Sequence, residues 1–153
     1  MYKSLIRPIL EYATPVWNPY LKKDIERKEI EHVQRKITKR ISGLDQLTYI
    51  ERLQSLHLPK LDTRRTYFEL LECYKIVHKI TRCECVAFLS LSELRTRGYH
   101  YKLKAVSPPA RLDVRRHFFL DRTVSQWNAL PAEIVQQESY SRFKSLLRKH
   151  LSI

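Results

Sequence analysis

The residues Asp24–Gly43, DIERKEIEHVQRKITKRISG, form the most strongly periodic segment of the chain. Branched apolar residues recur there at helical spacing and make one apolar stripe: Ile30, Val33, Ile37 and Ile41. Asp24 fits the N-cap position of a helix, and Gly43 fits the position just past its end. The segment therefore predicts an amphipathic helix from about Asp24 to Ile41.

The opposite face of this helix is basic. It carries Lys28, His32, Arg35 and Lys39, and it is flanked by Lys36 and Arg40. Such a face can simply be solvated, as on many surface helices. Arginine can also grip phosphates bidentately, and lysine supplies a point charge. The sequence therefore predicts a phosphate-contacting face, with a solvated face as the alternative. Its members are Lys28, Arg35, Lys36, Lys39 and Arg40.

Further helices follow from local signals. Thr48–Glu51 reads as a capping box that opens a short helix to about Ser55. Pro59 suits the first turn of a long helix to about Ile80, with Arg64 and Arg65 near its start as further candidate phosphate contacts. The residues expected to face the core are Leu61, Phe68, Leu71 and Val77. Helices are also predicted over Phe118–Asn128 and after Ser139, where Tyr140, Phe143, Leu146, Leu147 and Leu151 form the apolar face.

Two segments depart from the helical pattern. Residues 1–13 predict a helix that Pro8 kinks, and residues 14–20 are expected to be irregular because Pro15 and Pro19 disfavour helix before them. Tyr101–Val106 has some period-two character, which predicts a short strand. The fold class is therefore mainly α, with at most a short β element.

Composition bounds the kind of partner. The 153 residues carry 29 basic and 16 acidic side chains, a net charge of +13. Such an excess favours an anionic partner, with nucleic acid the leading class and a membrane surface or no polyanion the alternatives. We find no apolar run that would span a bilayer and no signal peptide, so a nuclear or cytoplasmic, non-secreted chain is expected, with no membrane partner. The 2 glycines predict few positions with positive φ.

The most basic segment is residues 95–122, where eight cationic side chains stand against two aspartates, a net of +6. Its candidate phosphate contacts are Arg97, Arg111, Arg115 and Arg116, and aromatic residues are interleaved with them. The alternative is a solvated basic face over an aromatic core. For Phe118 and Phe119 we expect a core position.

No catalytic centre is apparent. The five aspartates are dispersed, which does not suit two-metal phosphoryl transfer, and Gly43 and Gly98 cannot form a phosphate loop. We expect no cofactor and no small-molecule substrate. Four zinc-ligand types occur close together at Cys73, His78, Cys83 and Cys85, but their spacing is unsuitable, which favours buried or idle cysteines.

Six segments in the same order resemble the region after the polymerase palm in reverse transcriptases of non-LTR (LINE-type) retrotransposons. They are YKSLIRPILEYATPVWNPY, KDIERKEIEHVQRKITKRISGL, TYIERLQSLHLPKLDTRRTYFELLECYKIVH, RTRGYHYKLKA, RLDVRRHFFLDRTVSQWNALPAEIV and SRFKSLLRKHL. The resemblance implies a thumb-proximal and C-terminal part, beginning at an internal methionine, without the palm carboxylates or the endonuclease. It implies that the chain holds template RNA or an RNA–DNA hybrid, packs against a palm, and is not a polymerase by itself.

The resemblance also implies a division of the chain into a thumb-like region (1–80), a basic segment (81–117) and a helical C-terminal region (118–153). The N-terminal junction would then leave a palm, so residues 1–17 are expected to be the least well-packed apolar surface. The competing hypothesis is a helical protein–protein interaction module without a nucleic-acid role. The apolar faces at 30–41 and 140–151 motivate it.

Overall fold

The fold is mainly α in a computed structural model that describes residues 2–17, 25–81, 89–91, 102–105 and 119–153. The chain packs as two units. The N-terminal unit is Met1–Thr66 with Ser152–Ile153, and the C-terminal unit is Tyr67–Leu151. The boundary between the two units falls inside the helix Leu61–Val77. None of the helices in the described ranges is long and apolar enough to cross a membrane.

The N-terminal unit begins with a π-helical turn, Tyr2–Ile6, followed by α1 (Arg7–Glu11) and α2 (Thr14–Trp17). The helix predicted over residues 1–13 is present from Tyr2 to Glu11, and it changes from π to α geometry next to Pro8, the second residue of α1. The irregular segment predicted from residue 14 is wrong for Thr14–Trp17. Pro15 is the second residue of α2, a position that a helix tolerates.

Two longer helices follow, α3 (Ile25–Lys39) and α4 (Tyr49–Ser55). The capping box predicted at Thr48 is confirmed: the Thr48 side chain accepts from the Glu51 N–H, and the Glu51 carboxylate accepts from the Thr48 N–H at 2.7 Å. The Thr48 hydroxyl also donates to the Glu51 carboxylate at 2.8 Å, and this hydrogen bond, together with that from the Thr48 N–H, lowers the pKa of Glu51. The long helix α5 (Leu61–Val77) starts two residues later than Pro59 and ends three residues before Ile80.

A buried glutamine joins the elements of the N-terminal unit. The Gln34 side chain, fully buried on α3, donates through Nε2 to the Tyr49 hydroxyl and to the Pro59 carbonyl, each at 3.1 Å. Its Oε1 accepts from the Tyr2 hydroxyl. Burial raises the pKa of Tyr2 to about 12, so this hydroxyl stays protonated and able to donate. The inner face of α3 is thereby tied to three other segments.

The C-terminal unit comprises most of α5, a two-stranded sheet and α6 (Phe119–Asn128), α7 (Ala132–Val135) and α8 (Tyr140–His150). Strands β1 (Leu89–Leu91) and β2 (Leu103–Ala105) pair antiparallel, with Leu91 opposite Leu103. The short strand predicted within Tyr101–Val106 is therefore confirmed at Leu103–Ala105. Pro131 lies at the N-cap of α7, as its helix-breaking character predicts.

Aromatic rings form the centre of this unit. Phe143 of α8 stacks on Tyr74 of α5 with ring centroids 4.3 Å apart, and it lies 5.7 Å from Trp127 of α6. All three side chains are at most 1% exposed. The Tyr74 hydroxyl is satisfied because it donates to the Gln137 carbonyl at 2.7 Å. Helices α5, α6 and α8 thus share one aromatic core.

Asn128, at the end of α6, holds the strand β2. Its Oδ1 accepts from the Leu103 N–H at 2.9 Å, and its Nδ2 donates to the Leu103 carbonyl at 3.0 Å. An amide is suited to this role because it pairs with both backbone groups of one residue. The adjacent residues Trp127 and Asn128 therefore act differently, one in the core and one on the strand.

Helix ends in this chain use left-handed residues that are not glycine. Positive φ occurs at Gly43 and at four other described residues: Ala13, His57, Lys79 and Ser152. At the end of α5, the Ile80 N–H donates to the Lys75 carbonyl and the Lys79 N–H to the Ile76 carbonyl, which is a Schellman motif. Positive φ is thus confined to a few of the described residues, as the low glycine content predicts, although four of the five are not glycine.

Replacing Lys79 by glycine is expected to raise the free energy of unfolding by about 0.5–1 kcal/mol, since glycine removes the Cβ penalty at a φ of +55°. Urea denaturation followed by circular dichroism measures the change. The matched control is Gly43→Ala, where φ is +83° and no atom lies within 4 Å of an added Cβ, so any loss is conformational. A Lys79→Gly variant that is less stable than the parent would contradict this account.

The prediction of poor packing at the N-terminal end is confirmed for the described residues. Most large exposed apolar side chains lie there, and we call them the N-terminal apolar surface: Leu5, Ile9, Tyr12, Val16 and Trp17. Ile9 and Val16 are 74% and 84% exposed. Hydrogen bonds of Tyr2 to Gln34 and of Arg64 to Glu11 hold this end of the chain, and the apolar side chains of its helices lie on the outside.

Candidate nucleic-acid interface

The exposed face of α3 and of the turn that follows it collects four of the cations predicted to contact phosphate. Arg35, Lys36, Lys39 and Arg40 are all exposed, and we call them the basic stripe. They form two pairs four residues apart, so the members of each pair are separated by about 6 Å along the helix axis. The stripe lies opposite the buried side chains Gln34 and Thr38.

The side of α3 opposite the stripe is held by hydrogen bonds and by partly buried apolar side chains. Besides the hydrogen bonds of Gln34, the buried Thr38 hydroxyl donates to the Gln34 carbonyl at 2.9 Å. Ile30, Val33 and Ile37 are half-buried on the same inner side. The apolar face predicted at 30–41 is therefore largely covered within the N-terminal unit, except at Ile41, which is 40% exposed.

One member of the stripe is oriented by an aromatic ring. The Arg35 guanidinium carbon lies 4.7 Å from the centroid of the Tyr49 ring, a cation–π arrangement. The Tyr49 hydroxyl donates to Glu31 and accepts from Gln34. Burial and the hydrogen bond to Glu31 raise the pKa of Tyr49, which keeps the ring neutral and in place. Sequence analysis missed this role of Tyr49, because no local pattern relates α4 to α3.

The positive charge of the stripe is not offset by acidic residues in its own segment. Residues 32–40 contain no acidic side chain. Within the described part of the chain, none of the four cations lies in ion-pair distance of a carboxylate. Like charges four residues apart each destabilise a helix by a few tenths of a kcal/mol. The arrangement thus works slightly against stability and presents several cationic groups to one side.

Lys28 lies on α3 at a position that helical spacing places on the same face, but its side chain falls outside the described residues. Four other predicted contacts lie outside them altogether: Arg97, Arg111, Arg115 and Arg116.

The prediction for the two arginines of α5 is corrected. The Arg65 side chain is 1% exposed and pairs with Asp62 at 3.6 Å, so it cannot reach a phosphate in this fold. Arg65 stands one turn after the buried Leu61 and therefore shares its inward face. The Arg64 guanidinium is bound by Glu11 through two hydrogen bonds, of which Nη2–Oε2 is 2.8 Å. The basic stripe therefore does not extend to α5.

The cysteine and histidine candidates do not converge where they are described. Cys73 is buried in the C-terminal unit, and burial raises the pKa of its thiol to about 12, so it remains protonated. The His78 ring stacks on Tyr74 with centroids 4.0 Å apart. Desolvation lowers the pKa of His78. Cys83 and Cys85 lie outside the described residues.

Comparison with protein-family models, with curated proteins and with solved structures yields no match to this chain.

Proposed function

We propose that this chain is a nucleic-acid-binding segment of a non-LTR retrotransposon reverse transcriptase, without a catalytic palm of its own. In this proposal, the basic stripe on α3 contacts the phosphates of template RNA or of an RNA–DNA hybrid. The chain binds and positions nucleic acid, and polymerisation depends on a palm supplied elsewhere.

The basic stripe is the observation that carries the proposal. Four exposed cations share one helix face, no carboxylate in the described part of the chain lies within ion-pair distance of them, and the Arg35 guanidinium lies over the Tyr49 ring. Phosphate contacts from arginine and lysine provide most of the sequence-independent affinity of nucleic-acid-binding proteins. The net charge of +13 acts in the same direction over longer range.

The ordered resemblance of six segments to the post-palm region supports the identity of the larger protein. The exposed N-terminal apolar surface agrees with a junction that packs against another domain. It also favours the second candidate function, a helical module that binds a protein partner, because large apolar side chains are exposed together there.

Replacing the stripe by Arg35→Gln, Lys36→Gln, Lys39→Gln and Arg40→Gln is expected to weaken binding to an RNA–DNA hybrid at least about tenfold at low salt. The plot of log affinity against log salt concentration should become shallower by about 3, since each lost phosphate contact removes about 0.7–0.9. Fluorescence anisotropy of a labelled hybrid, titrated at several salt concentrations, measures both quantities.

The matched control removes four exposed lysines elsewhere in the sequence: Lys3→Gln, Lys60→Gln, Lys79→Gln and Lys104→Gln. Net charge falls equally in the two variants, so only local contact distinguishes them. The proposal fails if the slope of log affinity against log salt concentration falls equally in both variants. It also fails if the parent chain does not bind the hybrid at low salt. In either case the protein-binding module becomes the better account.

A further inference from the structure

The C-terminal helix α8 carries a second cationic face, in the other unit of the chain. Its eleven residues, YSRFKSLLRKH, include four lysine or arginine side chains and no acidic one. Arg142, Lys144, Arg148 and Lys149 are all exposed.

Helix stability accounts for only part of this charge. Arg148, Lys149 and His150 lie in the last turn, where cations interact favourably with the helix dipole. Arg142 lies in the first turn, where the dipole disfavours a cation and where acidic residues are usual. Lys144 and Arg148, four residues apart, also repel each other. The dipole therefore leaves Arg142 and Lys144 unexplained.

The exposed residues of α8 form an ordered pattern. Ser141 and Ser145, four residues apart, occupy the middle of the exposed face. Lys144 and Arg148 line one side of these serines, and Arg142 and Lys149 line the other, as the 3.6-residue repeat requires. Two rows of cations thus flank two small hydroxyl side chains. Serine hydroxyls, like arginine and lysine, are common donors to phosphate oxygens.

The inner face of α8 is packed into the core of the C-terminal unit. Phe143 and Leu147, on its inner face, are fully buried, and Phe143 stacks on Tyr74. The apolar face predicted at 140–151 is therefore largely covered within the C-terminal unit, except at Leu146, which is 36% exposed. The outer face can then bind a ligand without first being ordered, which lowers the entropy lost on binding.

The face suits a duplex better than a single strand. Proteins that bind single strands stack the bases on exposed aromatic side chains. On α8, Phe143 is buried and the Tyr140 ring packs 5.8 Å from Tyr74, so the outer face presents cations and hydroxyls without an exposed ring. Such a surface offers donors to a phosphate backbone but no aromatic ring of Phe143 or Tyr140 on which a base could stack.

We propose that the outer face of α8 is a second, sequence-independent contact for the phosphate backbone of a nucleic-acid duplex. It is separate from the basic stripe of α3, and it binds through Arg142, Lys144, Arg148 and Lys149, with Ser141 and Ser145 donating between them. The inference does not depend on the proposed role of the stripe.

The test compares Arg142→Gln, Lys144→Gln and Lys149→Gln with a control of equal charge, Lys3→Gln, Lys60→Gln and Lys79→Gln. The full-length chain is titrated with an RNA–DNA hybrid, with a single strand of the same length, and with vesicles of anionic phospholipid. For the hybrid, we expect affinity to fall about tenfold at low salt and the salt slope to fall by about 2 relative to the control. The single strand should lose clearly less.

The basic stripe is unchanged in this triple variant. The experiment therefore tests the proposal for α8 separately from the proposal for the stripe. Thermal unfolding verifies that the three substitutions leave the aromatic core intact. A second variant, Ser141→Ala with Ser145→Ala, keeps the charge of the helix. We expect it to weaken hybrid binding less than the triple change. Equal hybrid binding by the triple variant and its control would overturn the inference. A loss confined to vesicles, or an equal loss for single strand and hybrid, would overturn it as well.

Discussion

The Trp127→Ala variant is expected to lose about 3–5 kcal/mol of unfolding free energy, which is the range for deleting a large buried aromatic side chain. Trp127 is 1% exposed and lies 5.7 Å from the Phe143 ring, so alanine leaves a cavity in the shared core of α5, α6 and α8. This loss is a large part of the total stability of a small domain. Urea denaturation followed by circular dichroism measures it.

The chain offers an unusually direct control in its other tryptophan. Trp17 is 36% exposed on the N-terminal apolar surface, so Trp17→Ala removes the same side chain from a much less buried position and should cost below about 1 kcal/mol. If Trp127→Ala does not fold, Trp127→Phe keeps most of the ring volume and should show an intermediate loss. Similar losses for the two alanine variants would contradict the core described here.

Removing the carboxylate of Glu69 is expected to be almost as damaging, at about 3–5 kcal/mol, because it leaves the Arg122 guanidinium largely buried without its partner. Glu69 of α5 is fully buried, and its Oε1 lies 2.6 Å from Nη2 and 2.8 Å from Nε of Arg122 on α6. Glu69→Gln tests the charge while nearly preserving the shape. Chemical denaturation of the single variant measures the loss.

Glu72 provides the control, since it lies on the same helix and pairs with Lys75 at 3.0 Å near the surface. Glu72→Gln should cost below about 1 kcal/mol, as exposed ion pairs usually do. The double change Glu69→Leu with Arg122→Leu should recover most of the loss, because an apolar pair can replace a buried ion pair at little cost. If the double variant is no more stable than Glu69→Gln, the unpaired Arg122 charge is not the cause of the stability lost in Glu69→Gln.

Local sequence signals predicted the elements that depend on neighbours in the chain. The helix α3, the capping box of α4, the break at Pro131 and the strand at Leu103–Ala105 were all predicted near their observed positions. Each depends on spacing or on a cap within a few residues. The exposed side of the basic stripe follows from the same helical periodicity, so that part of the candidate site could be predicted as well.

Charge pairing could not be predicted in this way. Arg64 pairs with Glu11, and Arg122 with Glu69, each across 53 residues of sequence. From sequence, Arg64 and Arg65 differ little from the exposed arginines of α3, since all are charged residues on helices. Only the packing of α5 beside other segments shows that one is bound by a carboxylate and the other is buried.

By itself, the sequence determined a mainly helical chain, the amphipathic character of α3 and α8, and a strong positive charge, because these properties follow from residue type and from the periodicity of one helix. The tertiary structure alone decided that the arginines of α5 are bound or buried, which residues take left-handed φ at helix ends, and which apolar side chains stay exposed at the N-terminal end. These outcomes depend on contacts between residues far apart in sequence, and on whether another segment covers a given face. A repeating pattern within one helix carries no information about either.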